Sequence, residues 1–174
     1  MRSGIFTALL ALTACGAVDP LTAARLAALS PLNADPAAVA VRLDLPPGIA
    51  LPPGGARLTL AAESPDGRRV SQTVRLAAEG PVLAIAAADR PALAAAQAEI
   101  RALKAEDPAT RGSLSLALSP CRMGAGPAPD ARAGAAVRLA ANEAFLPLVT
   151  DAPLSDVLDP AATGELPPCP GQPR

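Results

Sequence analysis

Apolar and polar residues alternate over several short stretches of this chain, and the alternation predicts strands. In Val39–Leu45, Val39, Val41, Leu43 and Leu45 point one way, while Ala40, Arg42 and Asp44 point the other. A period of two is the mark of a half-buried strand. Pro46-Pro47-Gly48 ends the run, Ile49–Leu51 makes a brief extended piece, and Pro52-Pro53-Gly54-Gly55 turns the chain again. Arg57–Ala62 resumes the pattern with Leu58 and Leu60 inward. Val70–Leu76 returns it with Val70, Val74 and Leu76 on one face. Between them lies Ser64-Pro65-Asp66-Gly67, where Pro presets a turn and Gly tolerates positive φ. Gln72 interrupts the apolar face, which suggests an edge or a flared end. Pro81–Ala86 and Ser113–Leu118 are further strand candidates. Leu114, Leu116 and Leu118 form the apolar face of the latter, and Ala136–Ala140 is a weaker candidate.

The period changes at Asp89-Arg90-Pro91. Asp89 suits the N-cap and Pro suits the first turn. The following residues to Glu106 are strong helix formers, with Leu93, Ala96, Ile100 and Leu103 on one stripe. Gln97, Glu99, Arg101 and Lys104 fall outside that stripe, and Asp107-Pro108 stops the helix. The mixed charge and lack of aromatics on this helix favour packing against the protein's own core over lying in a membrane surface. Thr22–Leu32 reads as a short helix, Met123–Gly134 as a Gly/Pro/Ala loop, and Pro153–Leu158 as one helical turn. The pattern therefore predicts a mostly β fold: a small antiparallel β-sandwich or open sheet of about five to six strands covered by one long helix at about 90–106.

Composition narrows the chemistry. Apolar residues make up 51% of the 174, but aromatics are 1%, so the core must be aliphatic. There is no histidine, which excludes Ser-His-Asp and Cys-His hydrolases and histidine metal sites. A net charge of −1 and the lack of aromatic stacking platforms argue against nucleic-acid binding. Glu63, Asp66, Glu79, Glu99, Glu106 and Asp107 could in principle supply a carboxylate pair, but charges at turns and on helix faces read as solvated. Ser64 and Ser119 precede prolines outside any nucleophile elbow, and no phosphate loop is present. The reading is non-enzymatic, with no cofactor, metal or catalytic residue.

The amino terminus supplies an address. Arg2 precedes the apolar run Ile5–Ala14, which is shorter than the roughly 20 residues needed to span a bilayer. Small residues then lead to Cys15, a secretory-signal layout. Leu12-Thr13-Ala14-Cys15 resembles a bacterial lipobox. The resemblance implies a signal peptide at 1–14, cleavage before Cys15, lipid on its sulfur and amine, and a tether at 15–20 ahead of a globular domain at 21–174. Each buried CH₂ contributes about 0.8 kcal/mol, so two or three chains anchor the protein stably. A tether of four or five residues reaches at most about 17 Å, placing the body close to the lipid. The same resemblance implies that Gly16, where lipoproteins retained in the inner membrane tend to carry Asp, favours the periplasmic face of the outer membrane over the inner membrane.

With Cys15 lipidated, Cys121 and Cys169 remain, and an oxidising envelope favours their pairing as a structural disulfide. Clustered metal-ligand spacing and Cys-x-x-Cys are both absent. Ile49–Leu60 looks like the strand–Pro–turn–strand opening of some small β-sandwich lipoproteins that act as pilots or chaperones in envelope assembly. The leading expectation is a lipoprotein acting by contact with another envelope protein; Phe145–Val149 is the candidate patch, with burial of that segment in the core as the favoured reading of its apolar residues. The alternative is a small-ligand or lipid-binding module with an aliphatic pocket between helix and sheet.

Overall fold

A computed structural model describes residues 31–79, 82–157 and 166–171. Cys15, the signal and tether segments and nearly all of the expected Thr22–Leu32 helix lie outside the described residues; Leu32 itself is in a turn.

The fold is mostly β: an open, curled antiparallel sheet of seven strands, with one helix packed against it, rather than a sandwich. The strands are β1 (Ala40–Asp44), β2 (Ile49–Ala50), β3 (Ala56–Glu63), β4 (Arg69–Glu79), β5 (Val82–Ile85), β6 (Arg111–Leu118), β7 (Cys121–Arg122), β8 (Arg132–Arg138) and β9 (Leu146–Pro153). Helix α1 spans Arg90–Glu106 after a single 3-10 turn, and α2 is Leu154–Val157. Sheet order is β6-β3-β4-β5-β1-β8-β9, and β2 pairs with β7 as a separate small ribbon.

The expected hairpin forms in full register, with Leu58 opposite Val74 and Leu60 opposite Gln72. Strand β4 then changes partner. Its first part pairs with β3, and Leu76–Glu79 pair with β5. Gln72 therefore lies where β4 has β3 on one side and no β5 partner on the other, consistent with the flare its polarity suggested.

At the changeover the Arg75 N–H donates to Asp89 Oδ2 (2.9 Å), and the Ala86 N–H donates to the Arg75 carbonyl (3.0 Å). Asp89 does occupy the N-cap position of α1, but its carboxylate makes no capping bond. Instead it takes the guanidinium of Arg75 at 3.1 Å from both Nε and Nη2, tying the helix start to the sheet.

Helix α1 lies on β4 and β3. Leu93, Ala96, Ile100 and Leu103 are buried on its expected stripe against Leu58, Leu60, Val74, Leu76, Ile85 and Val137. Ile85 and Ile100 have 0% exposure. Gln97 departs from expectation: it is 4% exposed rather than solvated. Its amide nitrogen donates to the carbonyls of Pro31 (2.8 Å) and Ala34 (2.9 Å), and Arg101 donates to the Leu32 carbonyl. The helix thus clamps the incoming chain, with the buried amide satisfied by backbone acceptors. Asp107 closes α1 through its N–H to Leu103, and its carboxylate accepts from the Ala109 N–H.

The carboxyl-terminal half adds more strand than the sequence suggested. β8 starts at Arg132, inside the expected loop, and Phe145–Val149 runs into the edge strand β9. A bulge between Ala133 and Ala136 bends that edge, and Asp151 takes φ 48°. Cys121 and Cys169 form the expected disulfide. Around it the Arg122 N–H donates to the Pro167 carbonyl and the Cys169 N–H to the Arg122 carbonyl, so the Pro-rich tail lies against β7. At the neighbouring turn Gly48 has φ +88°, and a Cβ there would sit 2.2 Å from the Gly126 carbonyl oxygen, so glycine is required.

Two outcomes follow. Ile100→Ala opens a cavity in the most enclosed part of the core and lowers unfolding free energy by about 3 kcal/mol in urea denaturation. Reducing the disulfide frees a 48-residue separation and costs about 4 kcal/mol by the chain-entropy relation, read in the same assay with and without reductant.

Candidate functional site

The outer face of β1, β8 and β9 carries a groove of about 550 Å³. Strand alternation builds it. Val41 and Leu43 point into the core, so Arg42 and Asp44 point outward. Arg42 stands opposite Ala136, Asp44 opposite Gly134, and Arg138 opposite Ala40, which puts Arg138, Arg42 and Asp44 in line along one face. Ala136, Pro147 and Val149 give the groove an apolar floor, and Arg132, Thr150 and Asp151 close one end. A Cβ on Gly134 would approach Asp44 Oδ2 to 3.3 Å and the Val149 carbonyl to 3.4 Å, so the missing side chain leaves space for the Asp44 carboxylate.

Phe145 lies on this face under two guanidiniums. The guanidinium carbons of Arg42 and Arg138 each lie 5.1 Å from its ring centroid, within cation–π range. The Nε of Arg138 is enclosed with no hydrogen-bond partner. At the other end Arg132 pairs with the Asp151 carboxylate at 3.0 Å and also donates to its carbonyl. That bond stitches the strained Asp151 backbone to β8.

A second recess, about 600 Å³, lies at the turn end among Pro46, Pro47, Gly48, Met123, Gly126, Ala128, Ala131 and Arg132. Met123 beside it is 45% exposed. These recesses lie outside the helix–sheet interface, where the aliphatic pocket was expected.

The proposed contact segment is divided by its strand. Phe145 is half-buried beneath the arginines, Leu148 packs toward the core, and Pro147 is exposed, so Phe145–Val149 presents no continuous apolar patch. The Arg42–Phe145–Arg138 arrangement escaped sequence reasoning, because its members come from three separate stretches and Arg42 reads as an ordinary outward residue of an alternating strand.

The carboxylates picked from the sequence do not converge on one cleft. Glu63 pairs with Arg69 across the hairpin (2.9 Å), and Glu79 reaches Arg90 (3.5 Å). Arg68 bridges Asp66 (2.8 Å) and Glu106 (2.6 Å), linking the hairpin turn to the end of α1. Glu99 is exposed on α1 and Asp107 is its C-cap. Ser64 is buried and donates to Asp66 and the Arg68 carbonyl, so its hydroxyl is engaged in the turn. That hydroxyl, followed by the Arg68 backbone and side chain, lowers the Asp66 pKa from 3.8 to about 2. The Asp89 carboxyl is also held below its ordinary value by its bonds to Arg75. Among the described residues, no group of three metal-capable side chains occurs, and no helix is long and apolar enough to cross a membrane.

No family model matches the chain, and no curated protein or solved structure matches it.

The Asp66 geometry has a signed consequence. Its folded pKa lies below the unfolded value, so the native state binds fewer protons through that interval. The Asp66 contribution is therefore complete above about pH 4 and is lost as pH falls through about 2. Asp66→Asn destabilises the protein near neutral pH, and the gap from wild type narrows toward pH 2. Urea denaturation of both proteins across that range measures the narrowing.

Proposed function

We propose that this chain is a non-enzymatic cell-envelope lipoprotein, cut before Cys15 and acylated there. The folded body is held at a membrane surface, on the periplasmic face of the outer membrane, and works by contact with another envelope protein. The supporting observation is the fate of the cysteines. Cys121 and Cys169 bond to each other, which leaves Cys15 without a disulfide partner in this chain. A thiol left over in an exported protein calls for its own chemistry. Cys15 ends a short apolar run with small residues just before it, where lipid attachment supplies that chemistry.

The disulfide fits the same compartment. A crosslink closing a long loop persists under oxidising conditions and is rare in a reducing cytosol. The clamp on Pro31–Ala34 fixes where the chain enters the described body. Sixteen residue steps separate Cys15 from Pro31, from the difference of their numbers, so the first described residue stands at most about 55 Å from the anchor.

Cells fed radioactive palmitate test the anchor. The wild-type protein takes up label and its mature mass begins at residue 15, whereas Cys15→Ser takes up none; an unlabelled wild type refutes the proposal. Purification from detergent-solubilised envelopes tests the mode of action. A partner recovered in stoichiometric amount is expected, and a solitary monomer contradicts action by protein contact.

A further inference from the structure

We propose that the outer face of β1 and β8 binds the phosphoryl group of a small phosphomonoester, free or as a lipid headgroup, between Arg42 and Arg138. The two guanidinium carbons share one ring, each 5.1 Å from its centroid, so they are at most 10.2 Å apart, twice that distance. A cation over an aromatic ring is held by its charge, while its in-plane N–H donors stay available to oxygen acceptors. Phe145 thus orients two donor forks on one side of the sheet and leaves them unsatisfied.

Most other arginines of the fold are engaged: Arg101 and Arg122 donate to carbonyls, while Arg57 and Arg111 stand on the open face without an aromatic ring beside them. Arg68, Arg69, Arg75, Arg90 and Arg132 each have a carboxylate partner. The side chains of Arg42 and Arg138 have neither an ion pair nor a hydrogen bond among the described residues, and the Nε of half-buried Arg138 is enclosed without an acceptor. Two like charges on one ring, with Asp44 along the same face but in no ion pair with either, make a site for an anion, and phosphate oxygens suit paired guanidinium donors.

The rest of the groove limits the ligand. Its volume of about 550 Å³ matches a small molecule, and Ala136, Pro147 and Val149 offer apolar floor beside Arg42 and Phe145, with Arg138 standing outside the lining across the ring. Asp44 lies next along the line, while Arg132 and Asp151 neutralise each other at the end. A second anionic group would meet the Asp44 carboxylate. The site therefore favours one phosphoryl head on an uncharged body over a polyanion. This inference rests on the folded face and is independent of lipidation at Cys15.

Titration of the full folded body with glycerol phosphate at fixed ionic strength, followed by amide and arginine Nε–H resonances, tests the site. Saturable shifts are expected at Arg42, Ala136 and Arg138. Arg42→Gln weakens binding about tenfold, as loss of a charged hydrogen-bonding partner should. Arg42 is exposed, so its replacement leaves the Leu58 and Val74 amides in place and separates binding from folding. Arg111→Gln, on β6, leaves binding unchanged. An absence of saturable shifts on this face, or equal losses for the Arg42 and Arg111 variants, overturns the proposal. Sedimentation with phosphatidic acid vesicles identifies the source: Arg42-dependent sedimentation assigns a lipid headgroup, and glycerol phosphate binding without it assigns a free phosphoester.

Discussion

The curl of the sheet depends on the bond between Asp89 and Arg75. Strand β4 pairs with β3 and then with β5, and Arg75 is the residue at which one ladder ends and the other begins. Its N–H would lose a strand partner there, and the Asp89 carboxylate receives it. The same carboxylate binds the Arg75 guanidinium, and its own residue begins the helix. One side chain therefore sets the bend in the sheet and the point where α1 lies down on it. Its side chain is 20% exposed, against 56% for Asp66 and 58% for Glu106, so solvent screens it less than those ion pairs.

Around that pivot the protein compensates for a core without aromatic rings. Leu, Ile, Val and Ala fill the space under the curl, each adding modest area. Where this core thins out, other devices hold the chain. Gln97 and Arg101 fasten the incoming segment to α1. The disulfide fastens the outgoing tail to the small ribbon, near a second apolar cluster of Ile49, Ala133, Leu154 and Leu166. The two edges of the sheet differ as well. β9 carries Pro147, Pro153 and a bulge, which blunt further pairing, whereas β6 keeps full register with β3 over its eight residues. This framework leaves the outer face of β1, β8 and β9 free to carry its arginines and Phe145.

Legibility in the sequence followed burial on one side. β1, β3, β4 and β6 each have one covered and one open face, so alternation marked them, and α1 was marked by its stripe and by Asp107-Pro108. β8 was largely missed because Ala133 through Val137 are buried on both sides, which erases the period of two. β9 was missed because its prolines and bulge break the pattern that a strand is read from. Gln97 and Asp89 were assigned to solvent and to a cap because their actual partners, Pro31, Ala34 and Arg75, are set by tertiary packing. The pairing of Cys121 with Cys169 was legible from cysteine arithmetic. The convergence of Arg42 and Arg138 on Phe145 was not, since register alone brings them together.

The pivot is tested most directly by hydrogen exchange at single amides in wild type and Asp89→Ala. The account predicts a protected Arg75 amide in the wild type that exchanges much faster in the variant, while Ala62, at the far end of the hairpin, and Ile100 keep their protection. An Arg75 amide equally protected in both proteins would contradict it.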